Sequence, residues 1–138
     1  MSSIVQTQTT SFKRELYQAI HNLTTDVLKI ALYTASADLN EATTVYSSAN
    51  EVSGGGYTLG GVTMTGVTIS SSGYTAYVDF ADVVFGAAVT ARCALIYNSS
   101  KANRSIAVLD FGSDKTSANF TITMPSNDAS SALIRSSN

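Results

Sequence analysis

Apolar and polar residues alternate along most of the chain beyond residue 27, with the two-residue period that is typical of β-strands. In the segment VLKIALY, Leu28, Ile30 and Leu32 share one face and Lys29 lies on the other. The same alternation recurs at residues 62–69, 74–80, 91–97, 105–111, 120–124 and 132–134. About seven or eight short strands separated by turn-forming residues predict a mainly β chain, either an antiparallel β-sandwich or a jelly-roll-like domain.

The period changes near the N-terminus, where apolar residues recur every three or four positions: Phe12, Leu16, Ala19, Ile20 and Leu23. This spacing predicts one α-helix over residues 11–23, with Ser11 or Thr10 as its N-cap. We expect the stripe formed by Phe12, Leu16 and Ile20 to pack against the sandwich or against a neighbouring subunit.

Residues 1–10 are uncharged and show no helical period, which predicts an extended arm. Ile4 and Val5 give the arm two apolar anchors, and its β-branched residues are suited to pairing as an added strand. We expect the arm to dock on an adjacent subunit or on the surface of the assembly that it belongs to, and to be mobile in the free protein. Residues 1–138 are thus interpreted as a single domain: the arm, the helix and strands over residues 27–135.

Three segments interrupt the strand pattern. Residues 34–52 lack alternation and are predicted to run over the surface. The glycine-rich segment 54–61 is predicted to be a tightly turning loop or a site of close approach between chains. It lacks the spacing and the lysine of a phosphate-binding loop. Ser70–Gly73, with the sequence SSSG, is predicted to be a turn.

The composition narrows the classes of function. The chain has 138 residues, of which 44% are hydrophobic and 13% are charged, and its net charge is −2. This charge disfavours a nucleic-acid partner, which needs clustered lysine and arginine. No apolar stretch is long enough for a membrane span, and residues 1–10 do not resemble a signal peptide.

Few residues are candidates for chemistry. His21 is the single histidine, and we interpret it as structural, at the end of the helix. Cys93 shares a strand face with Leu95, which indicates a buried, unreactive thiol. Asp110 and Asp114 flank Gly112 and are expected to shape a turn rather than to bind calcium. We therefore predict no enzymatic activity, no catalytic residues, no metal and no cofactor.

Three blocks of the sequence carry a resemblance to a known family: KIALYT from Lys29, VSGGGYTLGG from Val52, and ALIYNSSKANRSIAVLDFG from Ala94. Over residues 12–135 the chain resembles small virion structural proteins of tailed bacteriophages. The resemblance implies a capsid decoration (cement) protein, made in the bacterial cytoplasm and placed on the surface of the head. It also implies a homo-oligomer, a trimer, that binds the major capsid protein, and it carries over no catalytic residues.

Two other functions remain open at this point. The chain could be a tail, baseplate or fibre component, since these are also β-rich and oligomeric. It could also bind glycans, through stacking of sugars on exposed tyrosines, for which the candidates are Tyr17, Tyr46, Tyr57 and Tyr77. For the oligomeric interface, the candidate residues are Ile4, Val5, Phe12, Leu16 and Ile20.

Overall fold

The computed structural model describes residues 3–137. In chain order, its elements within this range are β1 (Thr7–Gln8), α1 (Thr10–Tyr17), β2 (Leu28–Tyr33), β3 (Val62–Thr63), β4 (Thr68–Ser72), β5 (Thr75–Asp79), β6 (Val83–Val84), β7 (Val89–Asn98), β8 (Arg104–Ser117), β9 (Thr121–Ile122) and β10 (Ile134–Ser136). The strands form a five-stranded sheet in the order β1-β8-β7-β2-β3, a three-stranded sheet β10-β5-β4 and the pair β6-β9. Neighbouring strands are antiparallel, so the predicted mainly β, antiparallel fold with one N-terminal helix is confirmed.

The five-stranded sheet is buried on both faces along its central strands. On one face, Leu32, Ala94 and Ile96 point into the main core with Phe12 of α1 and Phe80, which follows β5. The opposite face carries a second cluster, formed by Ala31, Tyr33, Cys93, Leu95, Tyr97 and Val108. This double burial explains why residues 30–33 are apolar without a break, as is usual for strands covered on both sides.

The second face is covered by the chain that leaves β2. Within residues 34–52, Ala37 and Leu39 join the second cluster, and Tyr46 packs against it. The segment is anchored at its ends, because the Thr34 amide donates to the Asn50 carbonyl at 2.9 Å and the Val52 amide donates to the Leu32 carbonyl at 3.0 Å. The predicted surface excursion is therefore the layer that closes the sandwich-like arrangement on this side.

The N-terminal arm lies on its own chain. Thr7 and Gln8 pair with β8, and Ile4 forms a parallel bridge to Leu39 while packing against the second cluster. The Val5 amide donates to the Leu39 carbonyl at 3.0 Å. The predicted added strand is present, but the edge that it pairs with belongs to the same molecule. Our expectation of an arm that reaches an adjacent subunit is therefore corrected for residues 3–8, and Met1 and Ser2 lie outside the described residues.

The helix is shorter than the predicted residues 11–23, and its N-cap is Thr9, whose hydroxyl accepts from the Phe12 amide at 3.3 Å. It ends because Ala19 adopts a left-handed conformation, with φ of 58°. The amide of Ala19 then donates to the Leu16 carbonyl at 3.1 Å, and that of Ile20 to the Glu15 carbonyl at 3.1 Å. These two hydrogen bonds form a Schellman motif, which reverses the chain after Tyr17.

The strand boundaries also differ from the predicted ones at β4. Ser70–Ser72 belong to the strand, in register with Thr75–Tyr77, and only Gly73 and Tyr74 form the turn. The predicted four-residue turn is therefore wrong in its first three residues, because pairing with β5 overrides the preference of serine for turns.

Ala19 provides a test of this account of the helix end. A left-handed conformation strains an alanine but not a glycine, so Ala19→Gly is expected to raise the free energy of unfolding by about 0.5–1 kcal/mol. Urea unfolding monitored by circular dichroism measures this change, with Ala35→Gly as a control at a position without positive φ. A decrease in stability for Ala19→Gly would contradict the assigned helix end.

Candidate functional site

An exposed apolar groove lies between α1 and the three-stranded sheet. It has a volume of about 580 Å³, and buried Val78 and Ile134 contribute to its lining. Leu16 is 42% exposed, Ile69 of β4 is 53% exposed, and Tyr17 at the end of α1 is 92% exposed. These side chains present apolar area to solvent, and such patches are typical of contact surfaces.

The residues predicted for an interface are distributed unevenly around this surface. Phe12 is fully buried in the chain's own core, and Ile4 and Ile20 are half-buried. Leu16 lies on the groove, and Val5 is 41% exposed on the arm. Ile69 of β4, which the sequence analysis did not single out, adds a third exposed aliphatic side chain. The predicted helical stripe is therefore divided, with Phe12 supporting the fold and Leu16 available for contacts.

A second groove, of about 510 Å³, follows the far half of β8. Its apolar lining comes from β8 and from the segment that contains β9 and Pro125, and it includes Leu109, Phe111, Phe120, Ile122, Met124 and Leu133. Phe120, Ile122 and Met124 are buried members of the main core. This groove is therefore largely a depression over the core rather than a set of exposed side chains.

His21, the single histidine of the sequence, lies at the centre of a buried polar network. Its partners come from different parts of the chain, so the sequence did not predict them. Its Nε2 lies 2.9 Å from Glu15 Oε1, and its Nδ1 lies 2.9 Å from Asn98 Nδ2. The ring also packs 5.0 Å from the ring of Phe12. The His21 side chain is 0% exposed, which agrees with the structural interpretation.

The hydrogen-bond pattern fixes the tautomer of His21. The Asn98 amide nitrogen donates to Asp26 Oδ2 at 2.7 Å and to His21 Nδ1, so Nδ1 accepts a hydrogen bond. Nε2 consequently carries the proton and donates to Glu15. Because both ring nitrogens are engaged within the protein, neither is free to take a proton from a substrate.

Asp26 completes the network and joins the segment between α1 and β2 to the hairpin between β7 and β8. Its carboxylate accepts from Lys101 Nζ at 2.9 Å and from the Asn22 amide at 2.9 Å, in addition to Asn98. Burial raises the pKa of Asp26, but the hydrogen bonds from Asn98, Asn22 and Lys101 outweigh it and lower the pKa to about 2. The network therefore ties the segment after α1 to the β7–β8 hairpin.

A second polar cluster is built around Glu51, which is 8% exposed. Tyr46 donates to its Oε1 at 2.5 Å, Tyr57 donates to its Oε2 at 2.5 Å, and the Gly60 amide donates to Oε2 at 2.8 Å. Burial, followed by the hydrogen bond to Glu51, raises the pKa of both tyrosines above the ordinary value, which keeps the hydroxyls protonated as donors. A lone carboxylate between two tyrosines in a weakly charged segment is the only hint of this cluster in the sequence.

This cluster bears on the proposed tyrosine platforms for sugars. Tyr46 stacks on Tyr97 with ring centroids 4.6 Å apart, and Tyr57 also accepts a hydrogen bond from the Leu32 amide at 2.9 Å. Both are half-buried, as is Tyr77, so they are not the exposed platforms that the sequence analysis expected. Of the four candidates, Tyr17 alone is freely exposed, and Tyr74 is a further exposed tyrosine at 91%.

The glycine-rich segment closes over the same cluster. A Cβ at Gly55 would lie 1.9 Å from the Ala88 carbonyl oxygen, and one at Gly61 would lie 1.9 Å from the Ile30 carbonyl oxygen. Both glycines also have positive φ, of 62° and 83°. The predicted close approach of backbones therefore exists, and it takes place within one chain.

The remaining candidates for chemistry support the structure locally. Cys93 is buried, as predicted, and burial together with the nearby Asp110 raises the pKa of its thiol to about 12. Asp110 accepts from the Gly112 amide at 2.9 Å and forms an ion pair with Arg92 at 3.2 Å. Gly112 has a positive φ, of 83°, but it lies within β8, so the predicted turn between Asp110 and Asp114 is absent, and Asp114 is exposed.

Within residues 3–137, no three histidine, cysteine or acidic side chains gather where a metal ion could be held. Across the same residues, no helix has the length and apolar character needed to cross a membrane.

Comparisons with known proteins add no family to this description. No protein-family model matches the chain, and no curated protein and no solved structure matches it.

Asp26 gives a pH-dependent prediction for the His21 network. Its pKa is lowered from 3.8 to about 2 on folding, so its contribution to stability is present above pH 4 and is lost as the pH falls towards 2. Asp26→Asn is expected to lower the free energy of unfolding by about 2 kcal/mol at pH 6, with a difference from wild type that shrinks below pH 4. Urea unfolding at a series of pH values measures this, and exposed Asp114→Asn serves as the control. A difference that stays constant down to pH 2 would show that the carboxylate is not held in its charged form by these partners.

Proposed function

We propose that this chain is a structural protein of a tailed-bacteriophage virion, of the capsid decoration (cement) type. It acts as a homo-oligomer, a trimer, on the surface of the head, where it binds the major capsid protein and bridges neighbouring capsid subunits. Its task is mechanical, and it needs neither a cofactor nor a nucleic-acid or membrane partner. The resemblance of the sequence blocks in β2, the glycine-rich segment and the β7–β8 hairpin motivates this proposal.

The observation that supports it best is the placement of exposed apolar area. Leu16, Tyr17 and Ile69 are all exposed along one groove, although the chain has enough core to bury Phe12 and Phe80 completely. A protein that works through contacts needs such a surface, and a standard interface buries on the order of 800 Å² on each partner. Repetition of modest contacts over a shell makes attachment strong through effective concentration.

The use of the polar groups is consistent with the same role. His21 and Glu51 are both enclosed by hydrogen bonds that join distant segments of the chain. Such networks hold a single arrangement of loops, which a rigid bridging protein requires. A tail, baseplate or fibre component would use the same surface at another place on the virion, and a glycan-binding module would depend on Tyr17 and Tyr74.

The proposal is tested with heads that lack the protein, purified from phage in which its gene is disrupted. Added protein is expected to bind these heads in a fixed ratio to the major capsid protein and to raise the temperature at which the heads release DNA. Cryo-electron microscopy of the saturated particles would then show density on the outside of the head at three-fold positions. Binding to purified tails instead, or to a glycan array with loss in Tyr17→Ala, would overturn the cement assignment.

Leu16 gives a sharper form of this test. Because its side chain is 42% exposed, Leu16→Asp is expected to lower the free energy of unfolding by less than about 1 kcal/mol. It is nevertheless expected to reduce occupancy on heads at least tenfold, because it places a charge in the apolar groove. Leu59→Asp is the matched control, since Leu59 is 61% exposed on the glycine-rich segment. Undiminished occupancy for Leu16→Asp would show that attachment does not use the groove.

A further inference from the structure

The strand β4 is the open edge of the three-stranded sheet. The sheet has the order β10-β5-β4, and within the described residues no strand pairs with the outer side of β4. All five of its residues, Thr68–Ser72, are exposed. At its first residue, the Asn127 side chain donates to the Thr68 hydroxyl at 3.4 Å, and this contact leaves the backbone edge uncovered.

The register of the hairpin shows which backbone groups face outwards. Ser72 and Thr75 close the two-residue turn, so they form the hydrogen-bonded pair next to it. Because hydrogen-bonded and non-hydrogen-bonded positions alternate, Ser70 also bonds to β5, whereas the amides and carbonyls of Ile69 and Ser71 point away from it. The outer edge therefore offers two N–H and two C=O groups in strand geometry.

The other sheet edges are short or covered. Strand β3 has two residues, and β1 is itself a two-residue strand that covers part of β8. At β10, the Gln8 side chain donates to the Arg135 carbonyl at 3.1 Å. The far half of β8 carries Asp110, Asp114 and Lys115, and charged residues are a common protection against edge pairing. The sequence TISSS of β4 has neither a charge nor a proline.

We propose that β4 pairs with β4 of a second copy of this chain, antiparallel and about a two-fold axis that passes beside Ser70. Ile69 then lies opposite Ser71 of the partner, Ser71 lies opposite its Ile69, and four backbone hydrogen bonds form. The two three-stranded sheets become one six-stranded sheet. Between two single chains, a two-fold contact of this kind is self-complementary and closes as a dimer.

The outward-facing backbone groups of Ile69 and Ser71 lie symmetrically about Ser70, so this edge is complementary to the same edge of a second copy. The paired segments carry no charge, so the contact brings no like charges together. The nearest carboxylate on the sheet, Asp79, lies opposite Thr68 at one end of the hairpin. In the two-fold arrangement the two Asp79 side chains are roughly 20 Å apart, which is beyond the Debye length of about 10 Å at 0.1 M salt. Ile69 of each copy also places its apolar side chain along the shared sheet, next to the α1 groove.

Pairing of two β4 strands follows from the uncovered edge of β4 and is independent of the proposed role in the virion. In a trimer held together elsewhere, the same two-fold contact would link one trimer to the next. The test is accordingly made in solution with the full chain and without heads, so its failure leaves the binding to heads as a separate question.

Ser70→Cys tests the contact by oxidative cross-linking. In the proposed register, which is centred on Ser70, Ser70 lies opposite Ser70 of the second copy at a non-hydrogen-bonded position. The two Cα atoms are then about 4.5 Å apart, which is within the range of a disulfide. The control is Ser113→Cys on exposed β8, and the native Cys93 is buried. The disulfide-linked dimer is expected to form about 100-fold faster for Ser70→Cys than for Ser113→Cys, because pairing raises the effective concentration of the thiols from about 10 μM to about 1 mM. Equal rates would overturn the proposal.

Three further substitutions test the register and the backbone contact. Thr68→Cys and Ser72→Cys are expected to cross-link to each other when mixed, and neither is expected to cross-link to itself at that rate. Self-cross-linking of Ser72→Cys at the same rate would overturn the centred register.

Ser71→Pro removes an outward N–H without taking a hydrogen bond from β5, so it is expected to abolish the rapid cross-linking of Ser70→Cys while circular dichroism stays unchanged. Rapid cross-linking that persists in this folded variant would overturn backbone pairing as its cause.

Discussion

The burial of β7 on both faces is the constraint on which the rest of the structure depends. Strand β7 lies between β2 and β8, so its backbone is paired on both sides. Its side chains alternate between two apolar clusters, with Ala94 and Ile96 in the main core and Cys93 and Leu95 in the second. A single additional sheet could cover only one of these faces. The chain covers the other with residues 34–52 and with the N-terminal arm, and this requirement determines the path of about a fifth of the molecule.

Covering the sheet with irregular chain has a cost that the polar networks offset. Irregular segments carry backbone groups and polar side chains that need partners when they are buried. Glu51 receives three hydrogen bonds and fixes the glycine-rich segment against β2, and Asn98 joins His21 and Asp26 at the end of β7. The chain's buried ionisable groups are thereby used for structure. Two surfaces remain for function: the largely apolar groove beside Leu16, which Lys13 and Arg135 also line, and the uncharged edge of β4.

The sequence predicted those parts of the fold that depend on local periodicity. The period of two identified β2, β7 and the start of β8, whose side chains alternate between the main core and the second cluster. The predicted helix extends six residues beyond its observed end at Tyr17, because Leu23 is buried in the core without being helical and the left-handed turn at Ala19 leaves no mark in the pattern. The Glu51 cluster, the partners of His21 and the position of β4 at an edge depend on pairings across the chain, which composition and spacing do not encode.

Hydrogen exchange of the backbone amides tests the central role of the five-stranded sheet most directly. If β7 is the element on which the fold depends, the amides of Ala94, Leu95 and Ile96 are expected to exchange only through global unfolding, with the largest protection in the molecule. Amides of β5 in the three-stranded sheet are expected to exchange faster, through local opening. Protection in β5 that equals or exceeds that of β7 would contradict the account, because the smaller sheet would then be able to persist after the central one had opened.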